Sequence, residues 1–154
     1  MIRIRDGVDE TVLNLERWWN SFSLRLLAVT ALTLFTVYIM ALPGGTPAVD
    51  ELSELLGGTR YTDAVGHALG FALVAAVWYW MLSALLPARA ALIVTCAVVL
   101  TLGTLTEFGQ LSVPDRGVSK LDLAANWSGT LTGAALMWVS SRLNLSLLLG
   151  VVHA

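Results

Sequence analysis

Four long stretches without a charged side chain dominate this sequence: Leu26 to Leu42, Ala64 to Ala88, Ala90 to Thr106 and Leu123 to Ser141. A hydrocarbon core of roughly 30 Å is crossed by about 20 helical residues rising 1.5 Å each. Each stretch comes close to that length. Lipid offers the backbone no hydrogen-bond partners, so only helices or a closed barrel can span it. The runs are too long and too continuous for barrel strands. The sequence therefore predicts an all-α, polytopic membrane protein: a four-transmembrane-helix bundle occupying residues 24–142.

The flanks read differently. Val8, Val12, Leu15, Trp19 and Phe22 recur at three- and four-residue spacing, with Asp9, Glu10, Glu16 and Arg17 between them. This pattern predicts an amphipathic helix over residues 1–23, and Trp18 and Trp19 suit an interface. The leader is too acidic for a signal peptide. Residues 143–154 form a short tail, too short to span alone. Charged residues make up 13% of the chain, against about a quarter in soluble domains. The formal net charge of −2 says nothing about nucleic acid, and no basic run supports it, so no nucleic-acid partner is expected. Cys96 is the only cysteine, so no intramolecular disulfide can form, and mid-span it reads as a small apolar side chain. Trp78, Tyr79 and Trp80 read as lipid or helix contacts. Arg3, Arg5, Arg17, Arg25, Arg89 and Arg142 fall on one side of the four spans, and Arg60, Arg116 and Lys120 on the other. The positive-inside rule then places both termini in the cytoplasm of a cell with this protein in its plasma membrane.

The polar residues of the apolar region are concentrated rather than scattered. Asp63 and His67 open the second span, Glu107 and Gln110 close the third, and Asp122 and Asn126 open the fourth. Spacings of three or four put each pair on one helix face. In an antiparallel bundle these three helix ends meet at the same membrane face, with Arg116 on the loop above. Intramembrane ionisable groups face a bundle interior or a wet cavity. Two GxxxG pairs, Gly66 with Gly70 and Gly129 with Gly133, adjoin them and predict close helix packing in the same layer.

The set Asp63, His67, Phe71, Glu107, Gln110, Pro114, Arg116, Ser119, Asp122, Asn126, Gly129 and Gly133 resembles the VanZ-like membrane proteins. The resemblance runs from about Asp63 to Gly133. The loop "SVPDRG" departs from the aromatic and glycine more usual near the arginine in that family. The family's founding member is associated with low-level teicoplanin resistance, so the resemblance implies a cell-envelope setting and does not itself carry a resistance role or a defined reaction to this chain.

Each residue has a chemical and a structural reading. Glu107 suits a general base, a proton carrier or a cation ligand, or else an interhelical partner of Arg116 or His67. His67 suits acid–base chemistry or helix packing. With Asp63 and Glu107 it could ligate zinc, but only one histidine is near the pocket and there is no HExxH motif, so no metal is expected. Asp63 is either part of that site or an acid at a helix N-terminus. Arg116 fits phosphate or carboxylate, or anchors the loop by pairing with Asp115 or Asp122. Ser119 and Asp122 form the Ser-x-x-Asp pattern of a capping box, which also leaves N–H groups for an anion. Asn126 and Gln110 are suited to hydrogen bonds across helices. Catalytic roles thus fall to Glu107, His67 and Asp63, and binding roles to Arg116, Gln110, Ser119, Asp122 and Asn126. The sequence names no cofactor. The leading expectation is recognition of membrane lipids, specifically an envelope lipid or cell-wall precursor, at a pocket on the outer face. An enzyme acting on a lipid-linked group and a structural or partner-binding role are the alternatives, and a transporter would need a homo-oligomer to make a pathway.

Overall fold

The computed structural model describes residues 21–43, 45–58, 61–114 and 116–143. The expected amphipathic segment at residues 1–20 and the tail beyond residue 143 lie outside the described residues. Among those described, the chain forms five α-helices: α1 (Phe22–Ala41), α2 (Pro47–Leu55), α3 (Thr62–Leu82), α4 (Ala88–Gly109) and α5 (Lys120–Leu143). A 3-10 turn, Gln110–Ser112, extends α4.

The helix boundaries follow local chemistry. Ser21 caps α1, its hydroxyl accepting from the Leu24 N–H at 3.4 Å, and Ser119 caps α5 by accepting from the Asp122 N–H at 3.2 Å. Both satisfy a donor that the first helical turn leaves free. The second uncharged run does not continue to Ala88 as expected. It breaks at Leu82, and Ser83 to Pro87 turn the chain. Proline lacks an N–H and disfavours the helical conformation at the residue before it, so Pro87 ends one helix and opens the next. Arg89 therefore sits in the first turn of α4 rather than in the connection.

Helix α2 was not foreseen. Its signals are present: the Thr46 carbonyl accepts from Val49 and Asp50, Pro47 takes the first helical position, and Asp50 lies in the first turn. Gly57 and Gly58 end it at φ +104° and +58°, a region costly for any side chain.

Helices α1, α3 and α4, the last with its 3-10 extension, are long and apolar enough to cross a membrane. Helix α5 has the length, at 24 residues, but carries more polar groups. Helix α3 stands at the centre, packed on α5, α1 and α4, with α5 its most extensive partner. At mid-height Met40, Phe71, Val74, Ala75, Val99 and Ala134 form one apolar core, with half-buried Cys96 against it. Below it Val29, Tyr79, Met81, Leu82 and Ala91 form a second. The lower end is also tied by polar contacts. Arg25 donates to the Trp80 carbonyl at 2.6 Å and lies over that indole. Trp78 donates to Thr33, and the Tyr79 and Ser141 hydroxyls share a hydrogen bond. These aromatics are helix contacts.

Leu27, Phe35, Leu73, Ile93, Leu105 and Leu136 point outward, while Thr36, Thr95, Glu107, Gln110, Asn126 and Thr130 are buried. Large apolar side chains outside and polar ones inside invert the arrangement of a water-soluble bundle. Exposed hydroxyls such as Thr101 bond back to their own helix, here to Ala97, and so cost little in an apolar setting.

Closest approach occurs between α3 and α5. A Cβ on Gly129 would stand 2.8 Å from the Ala68 carbonyl carbon, and one on Gly133 the same distance from that of Ala72. Here the glycine pair works as expected, bringing backbone against backbone. The other pair behaves differently: Gly66 and Gly70 face side chains rather than backbone, Leu56 at 3.5 Å from a Cβ on Gly66, and Thr36 at 3.4 Å and Met40 at a tighter 3.3 Å from one on Gly70.

Candidate functional site

The upper end of the bundle gathers the starts of α3 and α5 and the end of α4, as the sequence predicts. It also gathers the end of α1. The last carbonyls of a helix have no partners within it, and two groups of the site use that deficit. Buried Gln110 donates through Nε2 to the Met40 carbonyl at 3.0 Å. Arg116 donates through Nε to the Leu42 carbonyl at 3.3 Å. Sequence reasoning missed these acceptors because main-chain oxygens leave no mark in residue identity.

His67 and Asn126 meet across the tight α3–α5 seam. Nδ1 of His67 lies 2.8 Å from Oδ1 of Asn126, and both residues are buried. Asn126 Nδ2 donates to the Gly103 carbonyl of α4 at 2.9 Å. One asparagine thus links three helices, and the glycines beside it let them come near enough.

Glu107 is fully buried at the end of α4. Its Oε1 accepts from the Ser119 N–H at the start of α5. In a complete capping box Asp122 would accept that proton. The box is half made: Ser119 Oγ caps the Asp122 N–H, but Glu107 takes the return bond. The Asp122 carboxylate is left to face the interior, half buried. Oε2 of Glu107 is buried without a hydrogen-bond partner among the described residues. A ligating atom from each of His67, Glu107 and Asp122 lies within 4.8 Å of the others.

Asp63 is not part of that cluster. Its side chain is mostly exposed and pairs with Arg116, Nη1 to Oδ2, at 3.4 Å. Arg116 is thereby anchored on two sides, at Leu42 and Asp63. A guanidinium has five N–H donors. Among the described residues Arg116 uses two, leaving three for a ligand.

Two cavities adjoin this layer. Asp63, His67, Arg116, Thr62 and Ser53 bring polar groups to the wall of a small, otherwise apolar crevice of about 60 Å³. A larger groove of about 440 Å³ runs down between α1, α2 and α3, lined by residues such as Phe35, Leu55, Leu69 and Leu73. The two share Ile39, Met40, Leu56 and Gly66 as a common wall. Helix α2 forms the outer side of both, so the unforeseen element shapes the site.

The chain matches no family model, no curated protein and no solved structure.

Proposed function

We propose that this is a VanZ-like integral membrane protein that recognises an envelope lipid or cell-wall-related amphiphile at the upper end of its bundle. The observation that carries the reading is that a crevice holding Asp63, His67 and Arg116 and a larger apolar groove lie against the same four residues, Ile39, Met40, Leu56 and Gly66. An amphiphile needs such a pair: a wet seat for its head and a hydrocarbon seat for its chain. Arg116, with three N–H donors available, suits a phosphate or carboxylate head. In this reading α5 is the fourth span, the crevice opens outside the cytoplasm and both termini lie inside it.

A second reading, an enzyme acting on a lipid-linked group, is favoured by the free Oε2 of buried Glu107, which is placed to take or give a proton. Mass spectrometry of the purified full chain, incubated with phospholipids and polyprenyl phosphates, separates the two. Retention of a lipid class without chemical change, lost in Arg116→Ala, supports recognition. Conversion of the lipid, lost in Glu107→Gln, supports the enzyme. No retention of any member of the panel overturns lipid recognition as stated.

A further inference from the structure

We propose that His67, Glu107 and Asp122 bind a divalent transition-metal ion of the zinc class. This goes beyond amphiphile recognition and stands without it. It begins with the orientation of Asn126. Its Nδ2 must donate to the Gly103 carbonyl, because two oxygens at 2.9 Å would repel. The amide orientation is thereby fixed, and Oδ1 faces His67 as an acceptor. His67 Nδ1 therefore carries the proton. With Nδ1 as the donor, Nε2 is the nitrogen left for a ligand, and it makes no hydrogen bond among the described residues. A ring held by one nitrogen and offering the other is the arrangement that metal-bound histidines adopt.

Glu107 supplies the second observation. A fully buried carboxylate with one oxygen satisfied and the other bare pays a large desolvation cost unless a cation or a proton is present. Asp122 supplies the third donor, since the Ser119 N–H that would have engaged it is held by Glu107. Two carboxylates and a dication sum to zero charge, the condition under which such a group is least costly among apolar helices. Donors at zinc distances from one ion stand up to about 4 Å apart. The present spread is within 4.8 Å, so an ion would draw the three donors closer by side-chain rotation. One imidazole and two carboxylates favour zinc or a neighbouring ion over calcium and magnesium, which prefer oxygen alone. Three protein donors leave a coordination position vacant for water or a ligand oxygen. His67 also lines the crevice that holds Arg116, so that position is near the head-group seat.

The test uses the full chain, purified in detergent without a histidine tag or added lipid, stripped with chelator and dialysed against zinc or cobalt. Wild type is expected to retain one equivalent of either ion, and cobalt to give the visible absorption of a protein-bound site. His67→Gln, Glu107→Gln and Asp122→Asn should each lower affinity by more than about tenfold, and Asn126→Ala, which removes the support of His67 without removing a ligand, by about 10- to 100-fold. Asp50→Asn, an exposed acid on α2, should leave binding unchanged. Circular dichroism checks the fold of each variant. Wild-type protein is informative even if every variant fails to fold: no retained ion and no cobalt spectrum overturn the proposal. Full retention in folded Glu107→Gln and Asp122→Asn also overturns it, placing the ion elsewhere. Lipid retention is measured separately, so either proposal can fail alone.

Discussion

Substituting Gly129 by alanine tests the geometry on which the site depends. The new Cβ would lie 2.8 Å from the Ala68 carbonyl carbon and 2.9 Å from the Ala68 Cα. Both atoms belong to helix backbone and cannot rotate away. The Ala68 carbonyl oxygen lies closer still, and ordinary contact begins near 3.4 Å, so α5 must withdraw from α3 by more than about 0.6 Å. Overpacking of this kind costs about 1–3 kcal/mol. The same withdrawal stretches the His67–Asn126 bond from 2.8 Å toward the distance at which such bonds fail, removing about another 1 kcal/mol. The expected loss is about 2–4 kcal/mol, read by SDS titration in mixed micelles. Gly109→Ala is the matched control. It has helical backbone at φ −61°, and no neighbour lies within 4 Å of its would-be Cβ. It should be neutral or stabilising by under about 1 kcal/mol. Equal stability of Gly129→Ala and wild type, or equal damage from both substitutions, would refute the reasoning.

Two further outcomes follow from the same structure. Ser119→Ala removes the hydroxyl cap on α5 but keeps the N–H that Glu107 accepts, so it should cost about 1 kcal/mol in the same titration and leave metal retention intact. Asp115→Cys, in a chain with Cys96→Ala, should react with a membrane-impermeant maleimide in intact cells; labelling only after lysis places the site on the cytoplasmic side.

The helices were legible because an uncharged run of helix-spanning length admits few other structures. Their ends were less so. Pro87 interrupts the second run without changing its hydropathy, and charge counting alone passed over the turn at Ser83 to Pro87. Helix α2 was hidden by its shortness, although Thr46, Pro47 and Asp50 mark its start. For the site, spacing brought His67, Glu107, Gln110, Asp122 and Asn126 to one layer. It could not separate Asp63, which pairs outward with Arg116, from Asp122, which turns inward. That distinction depends on which carboxylate receives the Ser119 N–H, a contest between a neighbour three residues away and Glu107 twelve residues away. Local pattern favours the nearer acid. The loop that folds α5 back onto α4 decides for the farther one.

The use of main-chain partners also bears on how such a site can change over evolutionary time. Gln110 binds the carbonyl of Met40, Arg116 that of Leu42, Asn126 that of Gly103, and Glu107 the N–H of Ser119. Each contact has only one half that a codon can alter freely. A lost side chain here cannot be rescued by a complementary exchange at its partner, because every residue presents the same carbonyl. Such positions are expected to drift little and to show no paired substitutions. Among the described contacts of the site, two-sided exchange is open to His67 with Asn126 and to Arg116 with Asp63. Correlated variation within the site would thus outline the rim and the α3–α5 seam while passing over the main-chain contacts that tie α1 and α4 into it.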